Sequence, residues 1–419
     1  MAAVHHHLQK HQEQQPIKKQ TNSLGSPQTM LIIAAALITI ILSFFSISIG
    51  GIRQGILLWI GLLLGYTLFH ARFGFTSAFR RLLSVGNGEG IRAHMLMLVI
   101  SSTLFAIILS TGISFFGGHP KGDVSPVGTS LIFGAFIFGI GMQLGGGCAS
   151  GTLYAVGGGR SEMFLTLIAF IAGSVIGAWH FDFWVNQMPS FKPISLATST
   201  GLGYFGAWAV QIIIFGFITL LTLWIEKKRR PPRVKPLPTA SGWKRIFRGS
   251  WPLWIAAIVL AVLNAAVLMV RRSPWGITSG FALWGSKIAS ALGIDVSQWG
   301  YWSGGRAASL HQSIFTDSTS VLDFGILIGA FLASTLGGLF LLKKITLRRA
   351  LAAIIGGLLM GYGARLAFGC NIGAYFSGIS SFSLHGWVWM IMALIGSYAA
   401  LYLRPLFGMS NPNSKDHFC

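Results

Sequence analysis

Two cysteines set among glycines carry the clearest chemistry in this chain: Cys148 in Gly145-Gly146-Gly147-Cys148-Ala149-Ser150-Gly151 and Cys370 in Gly369-Cys370-Asn371-Ile372-Gly373. A thiol is a weak hydrogen-bond donor and a soft, polarizable group, able to meet a small polar solute without gripping it. Each turn follows one strongly apolar stretch and precedes another, so irregular backbone falls at membrane depth. Such backbone persists in a bilayer only where protein shelters it or where it lines a cavity. A free cysteine also serves as a small packing residue in crowded helix crossings. What favours a solute pathway here is that the same turn occurs twice.

The elements that must hold these turns follow from composition. Of 419 residues, 53% are hydrophobic and 10% charged, and the mean hydropathy is +0.66. These values exclude a water-soluble domain of this size and predict an all-α polytopic membrane protein. Apolar runs near span length lie at about 30–50, 54–69, 94–116, 128–142, 162–183, 204–225, 251–270, 324–342, 350–364 and 386–403, or about ten transmembrane helices. A short re-entrant or interfacial helix is predicted over Pro274 to Leu292, whose apolar pattern is too interrupted to span. The fourth and ninth runs are short, and each ends just before a cysteine turn. Short or broken spans at matching places in two halves point to a transport site.

The formal net charge of +21, from 31 Lys and Arg against 10 acidic residues, would suggest nucleic-acid binding in a soluble protein. Here the basic residues lie between apolar runs and act as topology determinants, so the bilayer is the expected partner and nucleic acid is not. The largest cluster, Lys227 to Arg230 with Arg233, Lys235, Lys244, Arg245 and Arg248, marks a basic cytoplasmic linker over 226–249. It separates a first transmembrane half, 29–225, from a second, 250–405. A disordered tail over 1–28 and another tail over 406–419 then both lie in the cytoplasm. Arg53, Lys121, Lys192, Arg271, Arg272, Lys287, Arg306 and Arg365 fall on the outer side and are the weak point of this topology.

The two halves are related. Gly141 and Gly363, Leu144 and Leu366, Gly147 and Gly369, Cys148 and Cys370, and Gly151 and Gly373 all match at one offset of 222, and Gly173-Ser174 matches Gly396-Ser397 after a one-residue slip. By span count, the first turn is entered from the inside and the second from the outside, so the fold is predicted to hold two pseudo-symmetric inverted halves around a central narrow path. Both thiols are then expected to approach one another near the bilayer midplane. A fainter copy runs from Gly65-Tyr66 to Gly74, with Gly74 in the cysteine position.

These segments resemble the YeeE/YedE membrane proteins assigned to sulfur transport. The resemblance covers most of residues 50 to 405. Its clearest parts are Gly361-Tyr362-Gly363-Ala364-Arg365-Leu366-Ala367-Phe368-Gly369-Cys370-Asn371, Ser383-Leu384-His385-Gly386-Trp387, Gly145 to Gly151, Arg72-Phe73-Gly74-Phe75, and Pro274 to Gly285. It implies a prokaryotic inner-membrane uptake protein, similar to thiosulfate transporters in which thiols along a narrow path hydrogen-bond the passing anion. The chain departs from that pattern at Gly74, where members resembling the thiosulfate carriers hold a further cysteine.

Physical chemistry supports such a path. An oxyanion entering low dielectric loses hydration, and a pore must replace it with donors weak enough to let the ion leave. Thiols from Cys148 and Cys370 suit that compromise. Gly146, Gly147 and Gly369, with Asn371, can form backbone N–H nests at the starts of the following helices. Arg365 and Arg160 can concentrate a small inorganic anion at the two mouths; alternatively they are interfacial snorkelers, and the glycines and Asn371 serve packing and local turns. No Cys-x-x-Cys pair, zinc pattern, P-loop or dinucleotide fingerprint is present, so no metal, cofactor or enzymatic activity is expected. Three alternatives stay open: a selenium compound, sulfite or another small anion as substrate, and a membrane sulfur-transferase or redox protein working through a cysteine persulfide. Coupling is open between a facilitated route, an ion-coupled one and one that hands sulfur to a cytoplasmic sulfur-accepting protein.

Overall fold

The computed structural model describes residues 24–232 and 239–413. Lys10, Lys18, Lys19, Arg233, Lys235 and Cys419, with most of the predicted tails, lie outside them. The chain is helical almost throughout. The first half holds α1 (Thr29–Gly50), α2 (Ile52–Ala71), α3 (Phe75–Val85), α4 (Glu89–Thr111), α5 (Thr129–Leu144), α6 (Ala149–Gly157), α7 (Ser161–Trp179) and α8 (Gly203–Arg229). After α9 (Lys244–Phe247) in the linker come α10 (Leu253–Arg271), α11 (Thr278–Ala291), α12 (Ala307–His311), α13 (Ser318–Leu336), α14 (Leu347–Leu366), α15 (Gly378–Ser380) and α16 (Leu384–Leu403). A wide π-helical stretch, Asn371–Ser377, leads into α15. Among the described residues, nine helical spans are long and apolar enough to cross a bilayer, ten when the bent α14 and its continuation count as one. This is the predicted all-α polytopic membrane protein.

Most predicted spans coincide with a helix, but the third lies at Glu89–Thr111 rather than 94–116, and the eighth is displaced further: it occupies Ser318–Leu336 rather than 324–342. The reason is local. Asp317 caps the helix by accepting the Ser320 amide at 2.7 Å, which draws polar Thr319 to Asp323 into the first turns. At the other end Gly337 and Gly338 (φ +63°) turn the chain out, leaving apolar Phe340 to Leu342 beyond the helix. The sixth span also runs on through Lys227 to Arg229 before the linker begins.

The pseudo-symmetry holds down to individual backbone contacts. A Cβ on Gly173 of α7 would meet the Leu358 carbonyl of α14 at 2.3 Å, and one on Gly396 of α16 would meet the Phe136 carbonyl of α5 at 2.0 Å; Phe136 and Leu358 are themselves related by the offset of 222. Likewise Gly139 abuts Ala393 as Gly361 abuts Phe170, and Gly141 abuts Gly356 as Gly363 abuts Gly134. Reciprocal pairs of this kind are the signature of a two-fold axis relating the units α5–α7 and α14–α16. A second pair of units shows the same plan: α2 packs on α13, α4 on α10 and α2 on α10, as α5 packs on α16, α7 on α14 and α5 on α14. Glycine sits where these backbones touch because no side chain fits.

Contacts also sort the basic residues by face. Arg92 pairs with Glu226 at 2.5 Å, Arg229 donates to the Leu83 carbonyl, Arg248 donates to the Gly25 carbonyl, and Gln28 donates to the Phe340 carbonyl just before Lys343 at 3.0 Å. Linker, amino-terminal end, second connection and eighth connection therefore share one face. Arg365 lies at the far end of the 20-residue α14, about 30 Å away along the helix.

Candidate functional site

Four short helical elements begin inside the protein, each entered from a long helix through a sharp break. Gly74 is the N-cap of α3, Cys148 of α6, Ile277 of α11 and Cys370 of the π-helical stretch. The first, second and fourth of these residues are extended, so the structure puts Gly74 at the position equivalent to the two cysteines, as the faint third repeat predicts. The glycines before the thiols are required by conformation: Gly146 has φ +82° and Gly369 φ +154°, both in the region open to glycine. At Gly147 space is tight, since a Cβ there would stand 3.1 Å from the Gly151 carbonyl carbon.

Both thiols are buried in the same central cluster as Phe138, Phe170, Met360 and Trp389, and each lies within electrostatic reach of the other. Their local partners differ. Cys148 Sγ stands 3.4 Å from Ser150 Oγ, whereas Cys370 Sγ accepts the Ile372 amide at 3.4 Å. Asn371, fully buried beside Cys370, has neither end of its amide hydrogen-bonded. A buried amide without partners is costly, so an unsatisfied polar group stands next to the Cys370 thiol.

A cavity of about 310 Å³ descends to this second turn and is lined by Gly369 and Gly373 on either side of Cys370. Neither thiol is among its walls, nor is any residue of 145–151. No atom lies within 4 Å of a Cβ built on Gly373 or on Gly276, another wall residue; these two glycines leave the space open. Charge around the cavity is one-sided: Lys121, Arg271, Arg306 and Arg365 face a single acid, Asp123. Arg365 is 5% exposed, donates to the Tyr301 hydroxyl and leaves its Nε without a partner. Burial pushes the Asp123 carboxyl, in the connection between α4 and α5, up to about 6, against the Ser125 hydrogen bond and the charges of Arg271 and Arg306. The resulting vestibule carries an excess of positive charge, which favours capture of anions.

Of the sequence-predicted site residues, Cys370, Gly369, Asn371 and Arg365 are thus gathered at or just below one cavity, while Cys148 and Gly147 are buried and Gly146 is exposed, none of the three lining that cavity. Arg160 is a surface residue held by Glu162 at 2.6 Å and does not line this cavity. In the sequence Lys121, Arg271 and Arg306 stand out only as exceptions to the predicted topology; the structure gathers them around one cavity. Tyr301 and Asp123 carried no sequence signal, lying in polar connections without pattern.

A family model described as sulphur transport matches residues 70–399. The chain is 26% identical to the thiosulfate transporter TsuA of Escherichia coli (strain K12) over 82% of its own length and 94% of that protein's. It is 27% identical to the thiosulfate transporter TsuA of Spirochaeta thermophila over 83% of this chain and 99% of that one. A probable transporter YedE of Escherichia coli (strain K12) is 34% identical over a shorter stretch, 39% of this chain and 42% of the relative's length.

Proposed function

This chain belongs to the sulphur transport family, and from that premise we propose that it takes up thiosulfate across the prokaryotic inner membrane, with both termini in the cytoplasm. The observation that carries the reading is the cation-lined vestibule that stops at Gly369 and Gly373, one residue from the Cys370 thiol. The anion enters from the face opposite the basic linker, drawn by Arg365, Arg271, Arg306 and Lys121. It then exchanges water for Tyr301, the amide of Asn371 and the Cys370 S–H. Cys148 and the Gly146-Gly147 turn form the next station inward. In the conformation described, packing around the two thiols closes the path, so passage requires the two cysteine turns to move apart. The protein acts as a carrier, not an enzyme, and needs no cofactor; its sulfur leaves chemically unchanged unless a cytoplasmic sulfur-accepting protein receives it.

The test is growth of a sulfur-uptake-deficient bacterium on thiosulfate as sole sulfur source, beside uptake of radiolabelled thiosulfate into proteoliposomes. Rescue by the intact chain, with saturable uptake of intact thiosulfate, is the expected result. Rescue on sulfite or a selenium compound but not on thiosulfate would replace the substrate, and release of sulfide would replace the carrier with an enzyme.

A further inference from the structure

Most acids in the described residues lie at helix ends or in connections; Asp323 does not. It is the sixth residue of α13, 0% exposed, and neither carboxyl oxygen has a hydrogen-bond partner. The pocket around it is shaped for a carboxyl group, because a Cβ on Gly280 of α11 would stand 2.8 Å from Asp323 Oδ2. An ionised carboxylate there would be costly without a partner, so an intramembrane acid of this kind marks a functional site.

Polar side chains lead from the anion vestibule to within one helical turn of it. Arg271 and Ser279 both line the vestibule. Arg271 Nη1 lies 3.3 Å from Thr319 Oγ1, and Ser279 Oγ lies 3.1 Å from the same hydroxyl. Thr319 precedes Asp323 by four residues and therefore shares its helix face. Asp323 interacts electrostatically with Arg271 and with Asp317, and its charge reaches Cys370. Of the other elements around it, α1 contributes no charged side chain. Helix α2 contributes Arg53, which acts on Arg271, and α6 only Tyr154, at the far end beside Arg72. Lys287 of α11 is turned away to the Leu310 and Gln312 carbonyls, and Asp123 faces Arg271 across the vestibule.

We propose that Asp323 is the proton-carrying site through which inward movement of the anion is coupled to inward movement of a proton. The inference rests on the thiosulfate reading above. A dianion moving toward a negative interior is opposed about fifty-fold per charge for each 100 mV, and a proton moving with it cancels one of its two charges. Buried without a partner, Asp323 holds its proton in the conformation described. That proton comes from the outer water by way of the Ser279 and Thr319 hydroxyls, and an anion in the vestibule retains it by taking over the field of Arg271. The only bond that forms is O–H. It breaks again when the anion leaves inward, and the proton follows to the cytoplasmic side. Asp323 does not touch the anion.

The experiment compares two readouts on the same proteoliposomes with the membrane potential clamped at zero: exchange of labelled for unlabelled thiosulfate, and net accumulation driven by an acidic exterior. The wild-type protein should exchange, and should accumulate thiosulfate about tenfold per pH unit for one proton per anion. Asp323→Asn should keep exchange within about threefold, which also reports that it folds, while its accumulation ratio falls to about one. Asp323→Glu should restore accumulation. Accumulation by Asp323→Asn equal to wild type would overturn the proposal. So would a wild type that exchanges thiosulfate but ignores the pH gradient, or one driven by sodium instead. A wild type that exchanges no thiosulfate at all removes the substrate reading itself, and is told apart by that first readout.

Discussion

The two cysteine turns begin alike and end differently. Cys148 opens a regular nine-residue helix, α6, in packing that no part of the vestibule reaches. Cys370 opens seven residues of π-helix, with the cavity on both sides of it and an unpartnered amide next door. A related sequence thus serves as a turn beyond the vestibule's reach on one side and as a turn bordering it on the other. Wide helical turns leave backbone and side-chain groups less completely satisfied and are frequent at functional sites. A two-fold related pair therefore need not be identical at any instant; alternating which turn is open is how inverted repeats move a solute.

Experiments can break this comparison in order of expected effect. Replacing Cys370 by Ala should lower the thiosulfate uptake rate about a hundredfold if the thiol is the first station below the vestibule; Cys148→Ala should do the same only if both turns are used in sequence. Equal, negligible effects would make both cysteines packing residues. Arg365→Ala should raise the KM for thiosulfate about tenfold, with Arg365→Lys intermediate because the charge remains but the fork to Tyr301 is lost. An Arg365→Ala effect on maximal rate alone would place it outside the anion's route.

A subtler difference concerns pH. Because burial holds the Asp123 carboxyl up to about 6, it is largely neutral below that pH and negative above it. Ionisation cancels part of the vestibule's positive charge. The KM for thiosulfate should therefore rise about two- to fivefold between pH 5 and pH 7.5, and Asp123→Asn should flatten that profile at the low-pH value. A rise that survives in Asp123→Asn would assign it elsewhere. Smallest of all, Gly74→Cys should change uptake about twofold, since it returns a thiol to the N-cap of α3 without altering either cysteine turn. No change would make the third turn structural.

Much of the frame was legible in the chain because its signals are local. Apolar runs of span length announce membrane helices, and the offset of 222 announces paired units whose small residues recur where backbones meet. The same locality explains the misplaced eighth span. Hydropathy favours Phe340 to Leu342 over Thr319 to Asp323, but capping by Asp317 and the Gly337-Gly338 break decide where the helix lies. Cys148, Cys370 and the flanking glycines could be named for the same reason, each turn being contiguous in sequence.

What the amino-acid order alone determined, then, is the class of protein, the number and rough position of its helices, their inverted relation and the presence of two thiol turns. Only the tertiary structure decided that Lys121, Arg271, Arg306 and Arg365, drawn from separate connections and helix ends, surround one vestibule. It also decided that this space reaches one cysteine turn and not the other, and that Asp323 stands unpartnered beside Gly280. Convergence of residues far apart along the chain depends on how helices cross, and crossing is set by the sum of many backbone-to-backbone contacts that no short stretch of sequence contains.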